Sequence, residues 1–221
     1  MQNFGYAHKN TRDGERQTPT AQFNSANTDE EIEALRAYAF EREIPVSDGE
    51  TLNFLCTLMH ALKPDNILEL GTAIGVSGSV MLKICKTAHL TTIEREHAFY
   101  TQANENFSKF NLADRVTAIE GDAGEVIGKL SGQFDFIFLD CAKVQYVKYL
   151  PTLKKLLKKG GALFADDVLL FGYVTGEEEV PKKRKMLVEH IKEYISAVTD
   201  DCELQTTVVN IGNGVALSVK I

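Results

Sequence analysis

Two kinds of hydrophobic pattern alternate along the chain from about residue 65 onward. Short apolar runs of strand length are separated by stretches in which the apolar positions recur at helical spacing. The predicted strands are 67–70, 90–93, 116–119, 134–139 and 162–165, and the predicted helices between them are 76–86, 97–110, 123–130 and 144–158. This alternation predicts a doubly wound α/β fold, in which helices cover both faces of a mostly parallel sheet. Ligands of such folds bind at the edge where the strands end.

The region before the first strand has a different pattern. Residues 1–27 are polar and lack periodicity, which predicts a flexible N-terminal arm. Two helices are expected next. Thr28 with Glu31 forms the capping pattern of the first helix, and Ser47 with Glu50 forms that of the second.

The C-terminal region also departs from the alternation. A long helix is predicted at 180–198, and two β-rich runs, 203–210 and 215–220, follow it. The Gly-Asn-Gly sequence between these runs is typical of a tight turn, so they are expected to form an antiparallel hairpin. No repeat or low-complexity segment divides the chain, which favours a single domain over residues 28–221.

Composition narrows the class of protein. The 221 residues are 44% hydrophobic and 25% charged, and no apolar run approaches the roughly 20 residues of a membrane helix. The polar N-terminus does not resemble a signal peptide, so a cytoplasmic protein without membrane attachment is expected. The net charge of −7 argues against broad nucleic-acid binding, although a local basic run occupies 182–185. The four cysteines are widely spaced, which indicates neither a zinc site nor a disulfide framework.

The loop after the first predicted strand indicates a ligand site. Gly71 and Gly75 have Gly-x-x-x-Gly spacing, which is neither the Gly-x-Gly-x-x-Gly pattern of dinucleotide dehydrogenases nor a P-loop. Glu69 precedes the loop, as expected where a cationic ligand is held. A tight strand–helix turn without a ligand is the alternative interpretation.

Carboxylates follow the next two strands. Glu94 ends the second strand, where a carboxylate can accept hydrogen bonds from both hydroxyls of a ribose. Asp122 follows the third strand, and its side chain could bind an adenine amino group or cap the following helix. The sequence leaves both roles of Asp122 open.

Three further carboxylates follow the fourth and fifth strands. Asp140 ends the fourth strand, and Asp166 and Asp167 end the fifth. Neighbouring parallel strands would bring the three together without an evident charge partner, and like charges repel strongly at such distances. A hard divalent cation would relieve that repulsion, and all-oxygen ligation suits magnesium, calcium or manganese. Helix capping explains one of the three residues but not the set.

Together these motifs resemble the metal-dependent, catechol-type O-methyltransferase family of class I methyltransferases. Residues 67–77 resemble that family's cofactor loop, Asp140 and Lys143 form its Asp-x-x-Lys motif, and Asp166-Asp167 stands where Asp-Asn is usual. The ending Ile-Gly-Asn-Gly-Val-Ala-Leu is most similar to a small bacterial branch that includes the tRNA 5-hydroxyuridine methyltransferase. The resemblance implies a seven-stranded Rossmann-like sheet with a C-terminal antiparallel hairpin and extra N-terminal helices.

The resemblance also implies a role for each site residue. Val46, Glu69, Gly71, Thr72 and Ser77 would surround the amino-acid end of S-adenosylmethionine, Glu94 would bind its ribose, and Asp122 and Ala123 would face its adenine. Asp140, Asp166 and Asp167 would bind the metal, with Asp140 also beside the cofactor and active in catalysis. Lys143 would be the general base, with a lowered pKa. Magnesium is the metal expected first. Position 167 has Asp where the family usually has Asn, so calcium and manganese remain open.

The resemblance to the small bacterial branch favours 5-hydroxyuridine in tRNA as the acceptor, and a catechol-like small molecule with a free hydroxyl is the alternative. The basic run at 182–185 mildly favours tRNA, whereas the acidic net charge favours the small molecule. A homodimer is expected, with the arm as a contact. The competing functions are an NAD-dependent dehydrogenase, which the glycine spacing disfavours, and a non-catalytic nucleotide-binding module, which would not need Lys143 beside a metal site.

Overall fold

A computed structural model of the protein describes residues 29–221, so the predicted arm and Thr28 lie outside the described residues. The helices are α1 Glu30–Glu41, α2 Gly49–Leu62, α3 Val76–Ile84, α4 His97–Lys109, α5 Ala123–Ile127, α6 Tyr146–Leu156 and α7 Lys185–Thr199. The strands are β1 Asn66–Leu70, β2 His89–Glu94, β3 Val116–Glu120, β4 Phe134–Leu139, β5 Leu157–Ala165, β6 Leu204–Val209 and β7 Val215–Lys220.

The seven strands form one sheet in the order β3-β2-β1-β4-β5-β7-β6. The first five strands in this order, from β3 through β2, β1 and β4 to β5, pair in parallel. Strand β7 runs antiparallel to both β5 and β6. The doubly wound sheet and its C-terminal hairpin are therefore confirmed. The strand order reverses direction at β1, which places the binding crevice beyond the ends of β1 and its neighbours β2 and β4.

Each face of the sheet carries its own hydrophobic core. Strand β1 shows the alternation: Ile67 packs with residues of α1 to α4, and Leu68 packs with residues of α5 to α7. The pattern repeats in β4, where Phe136 belongs to the first core and Ile137 to the second. Burial on both faces explains why most positions of these strands are apolar, rather than every second one.

The N-caps of the two N-terminal helices each lie one residue later than predicted. Asp29 caps α1 by accepting the Ile32 N–H at 3.0 Å, and Asp48 caps α2 by accepting the Thr51 N–H at 2.9 Å. The predicted cap at Ser47 is therefore wrong, as is the placement of the first cap before Asp29. Asp is as good a capping residue as Ser or Thr, so adjacent candidates cannot be separated by residue type alone.

Three predicted helices in the C-terminal half are too long. The helix predicted at 123–130 ends at Ile127. Lys143–Gln145 and Lys182–Arg184 each form a short 3-10 helix before α6 and α7 begin. At its other end, α6 stops at Leu156 because Leu157 pairs with Phe134 in the sheet. Sheet pairing thus overrides the helical pattern of the lysine-rich stretch.

Among the helices of residues 29–221, none has the length and apolar character needed to cross a membrane.

Candidate active site

Backbone hydrogen bonds tie the ends of the central strands to one another. The Gly71 N–H donates to the Ile93 carbonyl oxygen at 3.0 Å, and the Asp140 N–H donates to that of Leu70 at 2.9 Å. The Asp166 N–H donates to the Leu139 carbonyl oxygen at 3.0 Å. These bonds hold the loops after β1, β4 and β5 along one edge of the sheet, where the predicted site residues meet.

Gly71 is required by the close approach of two loops. Its φ is +99°, and a Cβ atom there would lie 1.9 Å from the carbonyl oxygen of Asp140. Only glycine adopts this conformation without strain and without displacing the β4 backbone. The residue therefore fixes the distance between the loop after β1 and the loop that carries Asp140.

Glu69 lies behind the loop rather than at its open side. Its carboxylate is fully buried and accepts hydrogen bonds from the hydroxyls of Ser77 at 2.5 Å and Thr92 at 2.6 Å. Because Thr92 uses its hydrogen on Glu69, the Thr72 hydroxyl donates to Thr92, at 2.5 Å. Burial raises the pKa of Glu69 to about 7. Three of the predicted cofactor residues thus form one buried network, and Thr92 is the member that the sequence did not reveal.

Glu94 joins the end of β2 to the same loop. One of its oxygens accepts the Ala73 N–H at 2.8 Å, and the other accepts the Glu96 N–H at 2.9 Å. A carboxylate has about four acceptor positions, so each oxygen can still accept a ribose hydroxyl. Both its position and its remaining acceptor capacity fit the predicted role.

Asp122 is the N-cap of α5. Its Oδ1 accepts the Gly124 N–H at 2.9 Å, so capping, one of the two interpretations left open, is observed. Ala123 is the first residue of that helix. Asp122 also lines a cavity of about 320 Å³ between α5 and α6, together with Gln145 and Tyr149. An adenine contact is therefore compatible with the capping role.

Val46 lies two residues before Asp48, the N-cap of α2. Its side chain packs, partly buried, against the hydrophobic core formed by α1 to α4. This position leaves part of the side chain accessible near the start of α2, as a contact with the cofactor would require.

Lys143 is a charge partner of Asp140 and Asp167, which the spacing of these residues in the sequence did not indicate. Its Nζ lies 3.0 Å from Asp140 Oδ1 and 2.9 Å from Asp167 Oδ2, and the side chain is only 6% exposed. Burial alone would lower the pKa of Lys143, but the neighbouring Asp167 and Asp140 outweigh it and hold that pKa well above its usual value. The expected lowering of the pKa of Lys143 is therefore not observed, because the ammonium lies between two anions.

Asp166 is the most buried of the three carboxylates, at 2% exposure. Burial raises its pKa well above the usual range, and the negative charges of Asp167, Asp140 and Asp48 raise it further. Its Oδ1 accepts the Asp167 N–H at 2.7 Å. The backbone of Asp167 itself is left-handed, with a φ of 59°, a conformation that Asp and Asn adopt more readily than other side chains.

The chemistry of this donor set suits a hard divalent cation, because it offers carboxylate oxygens in a mostly buried, strongly anionic position. Within residues 29–221, however, no group of three His, Cys, Asp or Glu side chains is arranged to hold a metal ion. The ammonium of Lys143 instead bridges Asp140 and Asp167. The chemistry of the donor atoms therefore fits a divalent cation, whereas the observed geometry pairs Asp140 and Asp167 with Lys143.

A family model described as O-methyltransferase matches residues 24–221. The chain belongs to the O-methyltransferase family. This result decides against the dehydrogenase and the non-catalytic module, and it makes S-adenosylmethionine the methyl donor of the enzyme.

Relatives of this O-methyltransferase include a caffeoyl-CoA O-methyltransferase of Populus kitakamiensis. It is 29% identical over 186 residues, which cover 80% of this chain and 78% of the relative. A flavonoid 3',5'-methyltransferase of Vitis vinifera is 26% identical over 208 residues, which cover 87% of each chain.

Solved structures show the same fold. The structure of a candidate caffeoyl-CoA O-methyltransferase from Staphylococcus aureus is 32% identical, with a TM-score of 0.80, and the match covers 90% of this chain and 95% of that one. An S-adenosylhomocysteine-bound methyltransferase from Podospora anserina has a TM-score of 0.82 at 22% identity, covering 90% of this chain and 92% of the other. At 22% identity, the similarity to the Podospora anserina structure supports the fold only.

Proposed function

We propose that this O-methyltransferase requires a divalent metal and methylates one hydroxyl of a small, catechol-like molecule with two adjacent oxygens. The observation that carries the proposal is the buried Asp166 beside Asp140 and Asp167, with Lys143 in contact with the last two. Names of relatives support the acceptor class, because one is a caffeoyl-CoA and another a flavonoid methyltransferase.

S-adenosylmethionine would lie along the edge formed by the ends of β1, β2 and β4. Glu94 would bind its ribose, and the start of α5, Asp122 and Ala123, would face its adenine. The loop that begins at Gly71 and the partly buried Val46 would enclose its amino-acid end. Glu69 would act from behind, by holding Ser77 and Thr72 in place.

Asp140, Asp166 and Asp167 would hold the divalent cation, with magnesium expected first and calcium or manganese as alternatives. When bound there, the metal supplies positive charge that lowers the pKa of the acceptor hydroxyl. Asp167 adds a negative charge where the resembling family has Asn, which favours tighter binding of the cation.

Lys143 would take the proton from the acceptor hydroxyl at its Nζ atom. In the arrangement described here, Nζ holds its own proton because Asp140 and Asp167 stabilise the ammonium. Neutralising those carboxylates lowers the pKa of Lys143 and frees the amine to act as a base. The hydroxyl oxygen then attacks the methyl carbon of the sulfonium in line, and the carbon–sulfur bond breaks as the new carbon–oxygen bond forms.

A second acceptor, 5-hydroxyuridine in tRNA, is favoured by one surface feature. The 3-10 helix Lys182–Arg184 lies after the loop that follows Asp167, and Lys182 and Lys183 are exposed. Arg184 lies over the rings of Phe171 and Tyr173, at 5.5 and 5.9 Å from their centres. Cations beside aromatic rings suit a phosphate backbone with unstacked bases. The net charge of −7 opposes this acceptor.

A parallel assay tests the acceptor class. The protein is incubated with S-adenosylmethionine, magnesium and either a simple catechol or tRNA that carries 5-hydroxyuridine, and mass spectrometry follows the added methyl group. Methylated catechol with unmodified tRNA supports the proposal. Methylated tRNA with unmodified catechol contradicts the proposal and indicates that the 3-10 helix Lys182–Arg184 binds tRNA.

We also propose that the enzyme is a homodimer in which the arm at 1–27 contributes to the interface. Light scattering of the full chain and of residues 28–221 tests this. A dimer that becomes a monomer on removal of the arm supports the proposal, and a monomeric full chain contradicts it.

A further inference from the structure

A buried hydroxyl connects the start of α2 to the proposed metal site. Thr51 is fully buried, and its Oγ1 lies 3.1 Å from Asp48 Oδ2 and 3.5 Å from Asp166 Oδ1. Thr51 and Asp166 are 115 residues apart in the sequence. The contact therefore depends on the tertiary fold. It joins α2, which carries none of the proposed metal ligands, to the loop after β5, which carries two of them.

Thr51 is held in place by Asp48. As the N-cap of α2, Asp48 accepts the Thr51 N–H with Oδ1 at 2.9 Å, while its other oxygen contacts the Thr51 hydroxyl. The turn between β6 and β7 supports Asp48 from behind, because a Cβ atom at Gly212 would lie 2.1 Å from Asp48 Oδ2. The Thr51 side chain is thus held by Asp48, which in turn lies against the turn between β6 and β7.

The contacts of Asp166 are unequal at its two oxygens. Oδ1 accepts the Asp167 N–H at 2.7 Å. It also shares the single hydrogen of the Thr51 hydroxyl with Asp48 Oδ2, at distances of 3.5 and 3.1 Å from Thr51 Oγ1. Among residues 29–221, no hydrogen bond is observed to Oδ2. Oδ1 is therefore the anchored oxygen, and Oδ2 is the one that is available to a ligand.

We propose that Thr51 is a positioning residue that fixes the orientation of Asp166 for divalent-cation binding, with Asp48 holding Thr51. This inference rests on the proposed metal dependence. Groups that orient a metal-binding carboxylate are worth about 10- to 100-fold in metal affinity. Loss of the Thr51 hydroxyl is therefore expected to weaken metal binding, while the cofactor keeps its affinity because its proposed polar contacts come from the ends of β1, β2 and β3 and not from α2.

The test measures Mn²⁺ binding to the full chain saturated with S-adenosylhomocysteine, using the electron paramagnetic resonance signal of free Mn²⁺. Thr51→Val removes the hydroxyl at nearly constant volume, and Thr51→Ser retains it. Thr57→Val is the matched control, because Thr57 is an exposed residue of the same helix whose hydroxyl donates to the Asn53 carbonyl oxygen. We expect Thr51→Val to weaken Mn²⁺ binding about 10-fold or more, and the other two variants to match the wild type.

Calorimetric titration with S-adenosylhomocysteine separates positioning from a general structural role. Unchanged cofactor affinity in Thr51→Val with weakened Mn²⁺ binding supports the inference. Equal Mn²⁺ affinity in Thr51→Val and wild type overturns it and leaves the proposed metal dependence intact, and so does a parallel loss of both affinities. A wild-type protein that binds no Mn²⁺ overturns the metal dependence and this inference together.

Discussion

The Nζ atom of Lys143 lies 2.9 Å from Oδ2 of Asp167. The residue proposed as the base thus lies between two carboxylates that a bound cation could also neutralise. This contact explains why the pKa of Lys143 lies well above its usual value and why a base role requires another source of positive charge.

Replacing Lys143 by methionine should separate chemistry from metal binding. Turnover is expected to fall about 10²- to 10⁴-fold, because general-base catalysis contributes on that scale. Mn²⁺ affinity should stay the same or increase, because the competing ammonium is gone. Lys155→Met, a change at an exposed lysine of α6, serves as the control and should leave both quantities unchanged. Full turnover in Lys143→Met would refute the base assignment.

Asp167→Asn should change the pH dependence of the reaction more than its rate. The amide keeps an oxygen that can bind a cation but removes the negative charge 2.9 Å from Lys143. The pKa of Lys143 should therefore fall, and the limb of the pH–rate profile that reports the base should move to lower pH. Asp166→Asn, at the buried carboxylate, should instead lose turnover. An unmoved profile in Asp167→Asn would show that Lys143 does not set that limb.

The ribose contact is tested at Glu94. Glu94→Gln replaces one acceptor oxygen by an amide group and removes the charge, so affinity for S-adenosylhomocysteine should fall about 10- to 100-fold, as for a lost charged hydrogen bond. Isothermal titration calorimetry measures the change. Glu120→Gln at the end of the adjacent strand, where the side chain contacts exposed His97, is the control. Equal affinities of Glu94→Gln and wild type would remove Glu94 from the site.

Glu69 should make the stability of the free enzyme dependent on pH. Because burial raises its pKa from 4.5 to about 7, the folded state binds this proton more tightly than the unfolded state does. Its stabilising contribution is complete below pH 4.5 and is lost as the pH rises to about 7. Relative to Glu69→Gln, the wild type should lose roughly 2–3 kcal/mol of unfolding free energy between pH 5 and pH 8. Urea denaturation measures this, and a difference that does not change with pH would contradict it.

The sequence was sufficient to predict the sheet and most of its edge. The mostly apolar run of β4 identifies a strand, because burial on both faces favours apolar residues at nearly every position. The Gly-Asn-Gly turn identifies the hairpin that it joins. Glu94, Asp140 and Asp166 were found because parallel strands end at one edge. Helix ends were less certain, since Ser47 and Asp48 are equally good caps by residue type.

Contacts between distant segments could not be read from the sequence. The pairing of Lys143 with Asp167 depends on the direction of a long side chain, and the spacing of residues contains no such information. Asp48 and Thr51 reach Asp166 only because α2 packs beside the end of β5. An N-cap residue with a hydroxyl three positions later is common in helices, so no local pattern marks these two as neighbours of a metal site.

The most direct test of metal-dependent methyl transfer is a rate measurement on metal-stripped enzyme. The protein is treated with a chelator, dialysed, and assayed with S-adenosylmethionine and a catechol by mass spectrometry, before and after addition of magnesium, calcium or manganese. We predict a methylation rate at least about 100-fold lower without metal, on the scale of several kcal/mol for metal activation of a hydroxyl, and full recovery with magnesium. An equal rate with and without metal would contradict the role assigned to Asp140, Asp166 and Asp167.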